Sequence, residues 1–170
     1  MFERQRLGEI LVAQGALSAA ELERYLGEQA QKGMRIGEYL VSENAISPLE
    51  LSKALATQAD VDFAEEIDLD APDLDLLDHL PINFARARKM LPLWRTEYGV
   101  EVAVIDPFDI VGIDQVAQTL GHRVDPIIVS PTLLTDSLNV AYDRHDRLKG
   151  RYGAMLEDEQ KESDGDGEPG

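Results

Sequence analysis

The chain has 170 residues, 44% of them hydrophobic, no cysteine and a formal net charge of −17. That length allows one domain or two small ones, and the lack of thiols excludes disulfides, cysteine metal sites and a cysteine nucleophile, which fits a reducing compartment. The charge has the wrong sign for a nucleic-acid backbone or an anionic lipid surface.

The first 58 residues carry one pattern twice. Arg6-Leu7-Gly8-Glu9-Ile10-Leu11 opens a stretch that closes at Gln29, and Arg35-Ile36-Gly37-Glu38-Tyr39-Leu40 opens another that closes at Gln58. The offset is 29 residues, and 11 of 24 aligned positions are identical. In the first copy Leu7, Ile10 and Leu11 recur at helical spacing, Gly15 reads as a helix end, and Ser18 with Glu21 forms a capping box ahead of Leu22, Tyr25 and Leu26. In the second copy Ile36, Tyr39 and Leu40 form the short helix. Asn44 replaces Gly15 and tolerates the same left-handed turn. Ser47 and Glu50 form the box, Pro48 sits at the first helical position, and Leu51, Ala54 and Leu55 continue the face. Residues 1–60 are therefore expected to form two helical hairpins packed in one layer.

Residues 61–80 are rich in Asp and Glu but lack a calcium-loop pattern, and are expected to be a solvated acidic connector with a short helical turn near 75–80. From Pro81 the elements shorten. A helix is expected over 82–89, a strand over 91–94, a turn at Tyr98-Gly99, and a half-buried strand through Val100, Val102 and Val104. A helix over 110–120, closed by Gly121, precedes a strand over 124–129 and a helix from Ser130-Pro131 to about Tyr142. This order predicts an α+β fold, with a small, three-stranded or similar sheet in residues 81–143. Residues 144–156 extend the last helix or fray. Residues 157–170 hold seven acidic residues and one lysine, and their composition predicts disorder.

Little points to catalysis. His79, His122 and His145 lack metal-ligand spacing and read as surface or turn residues. Ser137, His122 and Asp136 form no triad signature, because no Gly-x-Ser-x-Gly turn is present. Trp94 reads as a core residue beside the sheet, with a surface anchor as the alternative. No run of 18 uncharged apolar residues suggests a membrane span. Met1–Arg6 does not lead into a signal-peptide core.

Arg-Leu-Gly-x-x-Leu-x-x-x-Gly-x-x-x-x-x-x-Leu-x-x-x-Leu-x-x-Gln fits residues 6–29 throughout, and a second copy covers 35–58 after the five-residue spacer Ala30–Met34. This pair resembles the nucleotide-binding motif in N-terminal domains of type II secretion and type IV pilus assembly ATPases. Met90-Leu91-Pro92-Leu93, Val102-Ala103-Val104 and Asp106-Pro107-Phe108-Asp109 resemble the α/β part of the same region. The resemblance implies a non-catalytic regulatory and docking module that senses cyclic di-GMP and requires no cofactor. Its implied partner is a cytoplasmic domain of an inner-membrane assembly protein, or a related motor ATPase, giving a cytoplasmic location, peripheral at the inner membrane through that partner. No phosphate loop is present, so ATP hydrolysis is not expected of this chain. Without a motor domain the usual reason for a hexamer is gone, and a monomer is expected. The alternative is a purely structural adaptor with no nucleotide ligand.

Carried onto this chain, the motif implies ligand contacts from Arg6, Leu7, Gly8, Leu11, Gly15, Leu22, Leu26 and Gln29 in the first copy. Arg35, Ile36, Gly37, Leu40, Asn44, Leu51, Leu55 and Gln58 are the counterparts. Arginine can give two parallel hydrogen bonds to guanine or phosphate, and glycine lets a ligand approach the backbone. The same leucines and glycines also suit plain helix packing, and the sequence leaves both roles open. Asn44 is the main departure from the motif.

Overall fold

The computed structural model describes residues 6–70 and 73–165. The duplicated stretch folds as α1 (Leu7–Ala13), α2 (Ala19–Lys32), α3 (Ile36–Ser42) and α4 (Pro48–Ala59). Both capping boxes form. The Ser18 hydroxyl accepts from the Glu21 amide at 3.1 Å while Glu21 accepts from the Ser18 amide at 2.9 Å; Ser47 and Glu50 repeat the exchange at 3.1 and 3.3 Å. The backbone amide of Ser18 holds the Glu21 carboxyl below its usual range, with the serine hydroxyl adding to the effect.

The turns between the hairpin helices superpose in chemistry as well as in sequence. Gly15 has φ +75° and Asn44 has φ +56°. In each copy the next residue's amide reaches back five positions, from Ala16 to Leu11 at 3.0 Å and from Ala45 to Leu40 at 2.9 Å. A Cβ at Gly15 would meet no atom within 4 Å, which explains why asparagine can occupy the matching position.

Ile10, Leu11, Leu17, Leu40, Ile46 and Ala54 form the core of the helical layer. Each fully buried leucine contributes roughly 1.5–3 kcal/mol relative to exposure. The α/β core is separate and larger, and α4 serves both: Ala54 faces the helical cluster while Ala56 belongs to the α/β cluster. Lys53 on α4 pairs with Glu65 at 2.9 Å. Gln14 donates to Thr57 at 3.3 Å, tying α1 to α4.

The second half contains α5 (Leu74–Asp78), α6 (Ile82–Arg88), β1 (Met90–Arg95), β2 (Val100–Val104), α7 (Ile110–Leu120), β3 (Val124–Ile128) and α8 (Pro131–Gly165). The expected α+β class is observed, with a three-stranded sheet of order β1-β2-β3. β1 and β2 pair antiparallel with a register shift between Pro92 and Trp94, and β2 and β3 pair parallel across the α7 connection. Trp94 is half-buried, and its indole donates to Glu101 at 3.1 Å.

Three expectations need correction. The stretch 61–80 is more than a solvated connector. Phe63 bridges Ile128 in parallel, the Asp73 amide donates to the Leu93 carbonyl at 2.7 Å, and Leu76, Leu77 and Leu80 are buried in the α/β core. The acidic residues between them point outward, which is what misled composition. His145 is not a surface residue: it is only 8% exposed, and its Nε2 lies 2.7 Å from Asp78. Helix α8 continues through residues 157–165, where disorder is expected. These residues are predominantly strong helix formers, and Glu157 and Lys161 stand at supporting i,i+4 spacing. Residues 157–162 are exposed along their length. Residues 166–170 lie outside the described part of the chain.

Candidate functional site

Arg35 N-caps α3 with extended backbone and no side-chain capping bond, so its guanidinium reaches outward from the helix start. It meets the loop after β2, where Nη1 lies 3.6 Å from the Asp106 carboxylate. Both groups are partly solvated, 78% and 40% exposed. Such a pair contributes only about 0–1 kcal/mol, and an anionic ligand can displace it without a large loss. The loop itself is fixed: Asp106 accepts from the Phe108 amide at 2.9 Å, and Asp109 caps α7 through the Gly112 amide at 3.0 Å.

Between this loop and the helical layer lies a groove of about 380 Å3, within the usual size range of small-molecule sites. Leu7, Arg35, Ile36, Gly37, Leu51, Leu55 and Gln58 line it from the duplicated motif. Glu38, Ile105, Asp106 and Phe108 complete it. Seven of the sixteen expected site residues therefore meet in one place, six of them from the second copy. Leu7 comes from the first copy and reaches across: a Cβ at Gly37 would sit 3.1 Å from its Cδ2 and 2.7 Å from Leu51 Cδ1.

The remaining expected residues are placed elsewhere. Leu11 and Leu40 are fully buried and belong to the helical core. Gly8 is also buried, and a Cβ there would meet Leu22 Cδ1 at 2.7 Å, so this glycine admits the α2 leucine. Gly15 and Asn44 make the hairpin turns, with Asn44 lining a different depression beside Val41 and Ala45–Pro48. Leu26 is 45% exposed. Gln29 donates to the Met34 carbonyl in the spacer, a junction role. Arg6 is exposed at the N-cap of α1.

Sequence reasoning did not assign a site role to Ile105, Asp106 or Phe108. Asp106-Pro107-Phe108-Asp109 resembles the α/β part of the family, but that resemblance implies no ligand contact from it. It lies about 70 residues from Arg35, and no local pattern announces that juxtaposition. Chemically, the groove offers apolar faces for a planar ring, a guanidinium for an acceptor edge or phosphate, and a carboxylate able to accept from ring N–H groups. Among the described residues no group of three or more histidines and carboxylates is arranged to hold a metal ion. No helix there is long and apolar enough to cross a membrane.

The MshEN domain model matches residues 59–148. These residues cover α5 to the middle of α8, and the duplicated motif precedes them. The solved structure of MshE with cdg (cyclic di-GMP) is 30% identical, with a TM-score of 0.65, covering 80% of this chain and 98% of the MshE chain. That coverage is more than residues 59–148 alone can supply, so the likeness extends into the helical layer. The N-terminal domain of XpsE shares the fold in two crystal forms. At 15% identity the TM-score is 0.59, and at 20% it is 0.51, each match covering 82% of this chain and 98% of the XpsE chain. No curated protein matches the chain. On the matched region and the identity to MshE together, the chain belongs to the MshEN domain family, homologous to N-terminal domains of type II secretion and type IV pilus assembly ATPases.

Proposed function

We propose that this chain senses cyclic di-GMP in the groove between the second motif copy and the β2–α7 loop, and passes that state to a protein partner. The observation that carries the reading is the convergence of Arg35, Gly37, Leu51, Leu55 and Gln58 with Asp106 and Phe108 around one groove. Guanine presents acceptors at O6 and N7 that match a guanidinium fork, and its ring N–H groups match the Asp106 carboxylate. Leu7, Leu51 and Phe108 supply apolar contact for the base. The identity to MshE, solved with cyclic di-GMP, supports the same ligand here.

Calorimetry with cyclic di-GMP on the full chain tests this directly. Wild type is expected to bind, and Arg35→Ala to bind roughly tenfold or more weakly, as loss of a charge-assisted hydrogen bond implies. Wild type giving no heat up to about 100 μM ligand would remove nucleotide sensing at ordinary affinity and leave the purely structural adaptor.

The proposed partner is a cytoplasmic domain of an inner-membrane assembly protein. Ile110 and Val111 support a docking role, because each is 65% exposed at the start of α7, directly after the loop that walls the groove. Replacing both with serine is expected to abolish capture by that domain in surface plasmon resonance and to leave nucleotide affinity unchanged. Retained capture would move the docking surface elsewhere.

A further inference from the structure

The groove continues past Arg35 into a second compartment of about 390 Å3, which shares Arg35, Ile105, Asp106 and Phe108 with the first. Its far wall comes from the end of α6, where Arg88 and Lys89 line it together with Met90. The two compartments differ in chemistry. The first is walled largely by Leu7, Ile36, Leu51 and Leu55, whereas the second brings three cations together in a protein of net charge −17.

The carboxylates of the second compartment are already engaged. Asp109 caps α7, and Asp106 holds the Phe108 amide and faces Arg35. Arg88 and Lys89 have no such partner: among the described residues neither forms an ion pair. Arg88 lies over the Phe84 ring, 5.8 Å from its centroid, which orders its stem without neutralising it.

Lys89 occupies an unusual backbone position. It ends α6 with φ +54° and ψ +56°, the left-handed conformation that costs a side chain least when the residue is glycine. Helices α2 and α7 end in that conformation with Gly33 and Gly121, and α4 ends in it with Asp60, whose short polar side chain tolerates it better than a lysine does. A lysine held there is strain retained at a groove, the kind of outlier that accompanies a binding role.

We infer that Arg88 and Lys89 form, with Arg35, a phosphate subsite, so that a nucleotide whose base lies in the apolar compartment places its phosphodiester in the cationic one. The inference rests on the groove reading above. It adds ligand contacts from the α/β half that the duplicated motif does not contain, and makes the ligand a bridge between α3 and α6.

The test uses the full chain, cyclic di-GMP as the probe, and two readouts, calorimetric affinity and Tm. Lys89→Gly removes the charge and relieves the left-handed strain, so it is expected to bind roughly tenfold more weakly while its Tm stays equal or rises. Lys89→Gln and Arg88→Gln keep a polar side chain without the charge and are expected to lose affinity to a similar extent. If all three variants bind as wild type while Arg35→Ala does not, the phosphate subsite is wrong and the groove reading survives. If wild type itself does not bind, the groove reading falls and the subsite falls with it.

Discussion

Replacing Gly99 with alanine isolates one steric contact that nothing nearby can absorb. A Cβ there would lie 2.3 Å from the Arg123 carbonyl oxygen, 3.0 Å from its carbonyl carbon and 3.1 Å from Arg123 Cβ. Ordinary carbon–oxygen contacts begin near ~3.3 Å, so the β1–β2 turn and the chain entering β3 must separate by about 1 Å. The same carbonyl accepts from the Val100 amide at 2.8 Å, at the first rung of the parallel β2–β3 ladder. Overpacking costs about 1–3 kcal/mol, and weakening that bond adds about 1 kcal/mol, so Gly99→Ala is expected to destabilise by roughly 2–4 kcal/mol. For a protein of this size that lowers Tm on the order of 10 °C. Urea unfolding followed by circular dichroism measures it as a lower midpoint at unchanged slope. Gly27→Ala is the control: its Cβ meets nothing within 4 Å in the interior of α2, and it is expected to stabilise by about 0.5–1 kcal/mol through helix propensity. A loss below about 0.5 kcal/mol for Gly99→Ala would refute the steric account.

Three other outcomes are expected. Asp78 is held below the usual aspartate range, first by its hydrogen bond from Lys149 and then by His145; a depressed carboxylate stabilises above its unfolded pKa, so this contribution is intact above pH 3.8 and is lost as pH falls through the lower native value. Acid titration of Asp78→Asn should lack that component, and an unchanged acid transition would count against it. Asn44→Gly should alter stability by less than about 0.5 kcal/mol, since asparagine already tolerates the turn, and should leave calorimetric affinity for cyclic di-GMP unchanged because Asn44 lines a depression away from Arg35; a gain in affinity would place it in the site. Deleting residues 157–170 should keep Tm within about 1 °C, given the exposed end of α8, and a larger fall in a thermal melt would mean that this segment packs on the body.

Local chemistry was the legible part of the fold. Ser18-Glu21 and Ser47-Glu50 carry their capping chemistry locally, and the alternating Val100, Val102 and Val104 read as a strand, although the opposite face is also covered at Ala103. The candidate groove was legible by half. The motif named Arg35, Gly37, Leu51 and Gln58, but equal spacing in the two copies suggested equal duty. What separates the copies is tertiary: the β2–α7 loop stands against the second. Neither Asp106 nor Lys89 carries a sequence mark of that placement. Lys89 in particular reads as an ordinary exposed residue until its φ is known. His145 was missed for a similar reason, because its partner Asp78 lies 67 residues away and its burial depends on α5 packing against α8.

The acidic stretch between the two halves has a consequence for solubility. A three-stranded sheet has two free edges, each a row of amides and carbonyls on which a stranger's strand can grow. Here the chain from Asp62 to Ala64 bridges the end of β3 at Ile128, and the Asp73 amide takes the Leu93 carbonyl on the outer side of β1. Pro126 and Pro92 interrupt donation along the same two strands. The acidic stretch thus occupies each outer strand at one point, Ile128 and Leu93, and a chain docking there meets its carboxylates.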